Sequence, residues 1–326
     1  MRRTFLKSML LGGVGASPLA AALLGAQSVQ AAETLKFMVP SNPGGGWDTT
    51  ARALGKSLQE AGLYSAVTYE NKGGASGTLG LAQFLNASKG DPNALMMMGA
   101  VMLGGIISSR SPFSVTQATP VARLTSEYNV FVVPAESPIK SMKDLVDQLR
   151  KDPGSVKWGG GIKGSTEHVA AAMIARFLGL GADKINYIPF KGGGEATAAI
   201  LGNNVTVGGS GYSEFQQYIE SGKMRAIGIT ADKRQPGINV PTLKEQGVDV
   251  VIGNWRGVYA APGVTPAQRE ALTQAVIKAT QTPSWKEALQ KNSWTPALLT
   301  GKAFDDFVTQ DFASLRAIMV KSGMLG

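Results

Sequence analysis

The sequence predicts an α/β fold of two lobes, each a mostly parallel sheet flanked by helices, with a cleft between them. Three observations carry this. Short apolar runs alternate with amphipathic segments, and the series occurs twice along the chain. Six consecutive strand-to-helix loops are rich in glycine. Beyond an N-terminal leader, roughly 295 residues remain, enough for two compact domains.

In order, "TLKFMVP" (Thr34 to Pro40) reads as a strand. Trp47 to Ala61 reads as a helix with Ala51, Leu54, Leu58 and Ala61 on one face, ended by Gly62. "AVTYEN" is the next strand, Thr78 to Ala87 the next helix, and "ALMMMG" (Ala94 to Gly99) a buried strand. The rhythm resumes with "NVFVVPA" as a strand, Met142 to Lys151 as a helix, "VKWGGG" as a strand and loop, and Glu167 to Gly179 as a helix. "KINYIPF", "NVTVGGS" and "MRAIGIT" are further strands, separated by helices at Glu195 to Leu201 and Glu214 to Glu220. The tail reads as helices alone, Pro266 to Thr280, Pro283 to Lys291 and Lys302 to Ser322, which should pack back on the first sheet. The resulting division is a leader over residues 1–31, a discontinuous first lobe over 32–131 and 256–326, and a second lobe over 132–255. The lobes are joined near Phe131 to Pro134 and Gly253 to Tyr259; a single large sheet is the alternative topology.

The leader carries Arg2, Arg3 and Lys7, then an uncharged Gly/Ala/Leu stretch, then small residues before Ala31, the pattern of an export signal. The arginine pair followed by Thr4, Phe5, Leu6 and Lys7 is like a twin-arginine signal, with ordinary secretion as the alternative. Gly12, Gly13, Gly15 and Pro18 break the stretch and argue against a membrane anchor. The formal charge is +9; the leader holds three of the 32 basic residues and none of the 23 acidic ones, leaving 29 against 23, a net of +6. That excess is scattered, which argues against nucleic acid and leaves a small anion plausible as a partner. With no cysteine, an exported chain must rely on its core for stability.

In parallel α/β sheets ligands bind at the carboxyl ends of strands. The loops there are "SNPGGGWDTT", "NKGGASGT", "GAVMLGG" (opening on Gly99 and Ala100), "GGGIKGSTEH" (with Gly161), "FKGGGEAT" and "GGSGYSEF". Taken singly, each could be only a turn. None has the spacing of a P-loop: "GKS" at Gly55 to Ser57 has Thr50 in place of the first glycine. The dinucleotide fingerprint also fails, because Thr49 stands where "GGGWDT" needs its last glycine. A hydrolytic triad would have to use His168, the single histidine, and there is no G-x-S-x-G elbow. His168 therefore reads as a helix-start residue rather than a base. No cofactor and no metal site is expected. An enzyme would have only Asp48, Glu167, His168, Glu195 and Glu214 to work with. What remains is capture of an anion by helix-start amides, at Gly164, Ser165 and Thr166 in one lobe and Gly74, Ser76, Gly77 and Thr78 in the other.

The stretches "PGGGWDTTARAL", "NKGGASGTLGLAQF", "NYIPFKGGGEATAAILGNNVTVGGSGYSEF" and "NWRGVYAAPG" resemble the periplasmic solute-binding proteins of tripartite tricarboxylate transporters, the TctC or Bug family, over essentially the whole chain after the leader. The resemblance implies a two-lobed periplasmic binding protein-like fold and no enzymatic activity. It implies a monomer that traps a di- or tricarboxylate, citrate-like, and hands it to one large and one small integral membrane protein. Sensing for a two-component kinase is the rival role. By the same resemblance, Ser41, Asn42, Gly44, Gly45, Trp47 and Asp48 reach one end of the ligand, with the Gly74 to Thr78 loop beside them. Gly164, Ser165, Thr166, Glu167 and His168 bind a carboxylate from the second lobe, and Phe190, Lys191, Gly192, Ser210 and Tyr212 complete the cleft. Many relatives have aspartate at Glu167 and glycine at Ser165, departures that bear on the ligand's identity. Asp48 could cap its helix or fix Arg52, Trp47 could pack in the core or cover the ligand, and Trp255 and Arg256 read as packing unless the ligand carries a third carboxylate.

Overall fold

The computed structural model describes residues 34–191 and 193–325; the proposed leader and Gly192 lie outside the described residues. The elements run β1 (Thr34–Val39), α1 (Gly46–Glu60), β2 (Ala66–Asn71), α2 (Thr78–Ala87), β3 (Ala94–Gly99), α3 (Ala100–Ser109) and β4 (Thr119–Pro134). They continue with α4 (Met142–Lys151), β5 (Lys157–Gly160), α5 (Thr166–Phe177), β6 (Asn186–Pro189), α6 (Gly193–Leu201), β7 (Val207–Gly211), α7 (Tyr212–Glu220) and β8 (Met224–Ile229). The last are β9 (Gly253–Ala260), α8 (Pro266–Ala279), α9 (Pro283–Lys291), β10 (Thr295–Thr300) and α10 (Gly301–Lys321).

Both lobes contain the expected parallel ladders, β2-β1-β3 in one and β6-β5-β7 in the other. They are joined through one long strand. Residues 119–128 of β4 pair antiparallel with β9, and β10 pairs with the same part of the strand. Residues 129–134 pair instead with β7 and β8. Hydrogen bonding is thus continuous along β2-β1-β3-β9-β4-β7-β5-β6, while the partners change between Tyr128 and Asn129. At the change, Asn129 N–H donates to Thr230 Oγ1 at 3.0 Å and its carbonyl accepts from Thr230 N–H at 2.9 Å.

The alternation of side chains along β4 divides the core. Phe131 and Val133 face one apolar cluster, with Phe131 edge-on to Trp158 at 5.3 Å, whereas Val130 and Val132 face a second with Ile200, Phe215 and Met224. The tail returns to the first lobe as expected, where Ser284 Oγ of α9 meets Ser57 Oγ of α1 at 2.9 Å.

Three local expectations are corrected. The tail is not all helical, because Thr295–Thr300 forms β10 against β4. β4 begins at Thr119, ten residues before "NVFVVPA", since its first part gains ladder partners from β9 and β10. "GAVMLGG" is not a loop after Gly99 but enters α3, despite the low helix propensity of Gly104 and Gly105. Both glycines lie where other backbone comes close: a Cβ on Gly104 would overlap the Gly164 carbonyl, and one on Gly105 would stand 2.7 Å from the Ser76 carbonyl oxygen.

Candidate functional site

The glycine loop after β1 is fixed by the first turn of the helix it enters. Gly44 has a φ of +84°, a conformation that suits glycine. Its N–H donates to Asp48 Oδ2 at 3.0 Å, Arg52 Nε donates to the same oxygen at 2.9 Å, and Asn71 Nδ2 donates to Asp48 Oδ1 at 3.0 Å. Burial pushes the Asp48 carboxyl up, but these donors outweigh it and hold it below the usual carboxylate range. Asp48 therefore ties the loop and fixes Arg52 together. Trp47 is in the core and also forms part of the wall of a cleft.

That cleft encloses about 670 Å³ of space, part of it open to solvent. Of the residues expected at the site, Ser41, Gly45, Trp47 and Gly74 line it from the first lobe. Gly161, Glu167, Phe190, Lys191 and Ser210 line it from the second. Among the described residues, the other expected ones do not line it. Asn42 Nδ2 bridges to Glu195 Oε1 of α6 at 3.0 Å. Gly99 packs so closely on β9 that a Cβ would overlap the Trp255 carbonyl, and Ala100 and Tyr212 are core residues. Ser165 is buried with its hydroxyl 3.2 Å from Tyr187 OH, and Thr166 Oγ1 donates to Asn129 Oδ1 at 3.1 Å. Gly77 packs near Met102, and Thr78 Oγ1 donates back to the Ala75 carbonyl at 2.6 Å.

The two loops expected to grip opposite ends of a ligand in fact touch each other. Ser76 Oγ donates to the Lys163 carbonyl at 3.3 Å, Ser108 Oγ of α3 donates to the same oxygen at 2.9 Å, and Gly164 lies against Gly104. On the open side, several amides bordering the cleft, Gly164 among those expected to bind an anion, already have partners. Gly46 N–H, at the start of α1, donates to Glu214 Oε1 at 2.7 Å, and Ser210 Oγ donates to Glu214 Oε2. Gly161 N–H donates to Glu167 Oε1 at 2.6 Å, and Gly164 N–H to His168 Nδ1 at 3.0 Å. A protein carboxylate thus occupies the start of α1, a position that suits an anion, and a second ties down the loop after β5.

Charge at the site follows from burial. Burial, with the Glu214 charge adding to it, pushes Glu167 up to about 7 against the hydrogen bonds it accepts. His168, stacked on Tyr187 at 4.0 Å, is pushed down to about 4 by burial and by the neighbouring Lys163 charge, so it is neutral at pH 7 and suited to accept the Gly164 N–H. At the cleft floor Arg256 pairs with the buried Glu127, which also accepts from Ser213 Oγ at 2.9 Å. Burial pushes the Glu127 carboxyl up; Arg256 and the Ser213 donors oppose it.

Sequence reasoning placed Arg256 in packing unless the ligand carries a third carboxylate, weighed Glu214 only as an acid for an enzyme, and missed Glu127 and Asn254. The available signal was an acid inside an apolar strand, "TSEYNVFVV", which a buried position tolerates only with a partner. Among the described residues no helix is long and apolar enough to cross a membrane.

The family model for the tripartite tricarboxylate transporter family receptor matches residues 50–324. Protein BugT of Bordetella pertussis is 27% identical over 297 residues, which cover 90% of each chain. The structure of the periplasmic binding protein BugD superposes with a TM-score of 0.80 at 24% identity, covering 90% of this chain and 98% of that one. MatC from Rhodopseudomonas palustris with bound malate superposes with a TM-score of 0.77 at 21% identity, covering 88% and 98%.

Proposed function

Since the chain belongs to the tripartite tricarboxylate transporter receptor family, we propose that its cleft captures a small organic carboxylate and delivers it to the transporter's membrane subunits. The observation that carries this reading is the cleft itself, lined by glycine loops from both sheet halves and spanned by bonds such as Asn42 to Glu195 and Gly46 to Glu214. Such contacts between halves are what a trap makes as it closes, and closure is what a permease can read. The malate in MatC supports a dicarboxylate, and the family's description supports a di- or tricarboxylate such as citrate.

In this reading, residues 32–131 with 256–326 move as one body against 132–255, and Ser41, Gly45, Trp47, Gly161, Glu167, Phe190 and Ser210 touch the ligand. In the same reading the protein is exported to the periplasm and works there as a monomer. No side chain carries out a reaction. A sensor role through a two-component kinase is the alternative, and deleting the permease tests it: uptake that survives the deletion favours the sensor.

The direct test is thermal unfolding of the chain without its leader in the presence of malate, adipate and citrate. A ligand that binds only the folded chain at 100 times its Kd stabilises it by about 2.7 kcal/mol, enough to move the melting temperature by a few degrees. If none of the three acids moves it, the reading fails.

A further inference from the structure

Among the described residues, three of the buried side-chain atoms that lack a hydrogen-bond partner belong to residues lining the cleft: Ser41 Oγ, Asn254 Oδ1 and Arg256 Nη1. Arg256 is 3% exposed and Asn254 5%. Buried polar groups are almost always paired, and a charged donor is the most costly to leave alone. Their gathering at one place therefore points to something that binds there.

Arg256 is well supported from behind. Its Nη2 pairs with Glu127, which accepts from Ser213 Oγ at 2.9 Å, and that hydroxyl in turn accepts from Trp294 Nε1 at 3.1 Å. The guanidinium lies 5.5 Å from the Trp294 ring centre and directly against Gly46, where a Cβ would overlap it. With one nitrogen held by Glu127 and the other unpaired, the planar fork has a face left for a second anion. A half-turn of the Asn254 carboxamide exchanges its orphaned oxygen for an NH2 donor.

We propose that Arg256, together with Ser41 and Asn254, forms a charged anchor for one carboxylate of the ligand, positioned by Glu127 through the Arg256 ion pair. The proposal rests on the carboxylate-trap reading above. It adds that capture uses a side-chain cation. The rival is that Arg256 only packs the junction between β9 and β4.

The test is calorimetric titration of malate, adipate and citrate, and of the monoamide of each acid that binds, into wild type and E127Q/R256Q. The double substitution removes both charges together, so neither partner is left as an unpaired buried charge. Wild type should bind at least one acid and prefer it about tenfold or more over its amide. The folded double variant should lose roughly 30-fold or more in affinity for the acid, within the range of hydrogen bonds to a charged group, and prefer it less than about threefold over its amide. An unchanged acid-to-amide preference in a folded double variant overturns the anchor while leaving the trap intact. Wild type that binds none of the acids overturns both. If the double variant does not fold, S41A/N254A, which spares the ion pair, should weaken acid binding about tenfold; unchanged affinity there overturns the anchor.

Discussion

Glu167 and His168 are adjacent in sequence and titrate in opposite senses. Glu167 at about 7 in the folded chain, against an ordinary 4.5, keeps a proton that the unfolded chain releases. Its contribution is greatest below pH 4.5 and is lost as pH rises through 7. His168 at about 4, against 6.5, refuses a proton that the unfolded chain takes up, so its contribution is present above pH 6.5 and lost as pH falls toward 4. Each shift corresponds to about 3 kcal/mol at full development, and the windows overlap, so the two nearly cancel in wild type. Urea unfolding across pH 4.5 to 7 should show a slope of stability against pH that is more positive than wild type in E167Q and more negative in H168Q. Two variants with the slope of the parent would mean that burial does not set these pKa values. The helix-start role of His168 was legible in its sequence position. The burial behind its neutrality was not, because Tyr187, on which it stacks, comes from another strand. Glu127 and Arg256 are further apart still, 129 residues along the chain, and nothing local in either stretch names the other.

At the scale of elements, α3 shows where local preference misleads. Two consecutive glycines argue against a helix by about 1 kcal/mol each, and the sequence reading made "GAVMLGG" a loop. The helix forms because α3 is a packing element between the lobes, and Gly104 lets the Gly164 carbonyl approach. G104V should therefore lose about 1–3 kcal/mol through overpacking, and hydrogen exchange should speed up over residues 163–168. Normal stability and unchanged protection of that loop would show that the approach is not tight in solution. β10 was missed for the complementary reason. "TPALLT" has a proline and no clean alternation, and becomes a strand only because β4 offers an edge for it. By contrast, α1, α4, α8 and α9 start and stop close to where their apolar spacing and helix-start residues placed them.

For the whole molecule, the central feature is that bonds between the two halves involve groups that line the cleft proposed to take the ligand. Glu214 joins α7 to the start of α1 and brings a negative charge into the cleft. Two unit charges ~8 Å apart at an effective dielectric constant of ~20 repel by about 2 kcal/mol. E214Q, which can still accept from Gly46, should raise malate affinity about tenfold at pH 8 and leave unfolding nearly unchanged; equal affinity in calorimetry would remove Glu214 as a competitor for the site. The sequence by itself determined the α/β class, the repeated strand-to-helix loops and the glycines bordering the cleft, because these follow from apolar periodicity and from backbone freedom that only glycine supplies; the family was legible only through the resemblance of its motifs. Tertiary structure alone decided that β4 serves both lobes, that protein carboxylates occupy the amides at the start of α1 and after β5, and that Arg256 lines the cleft with one nitrogen unpaired. Those facts depend on which distant residues burial brings together, and the cost of burying a charge is set by neighbours that a local stretch of sequence does not contain.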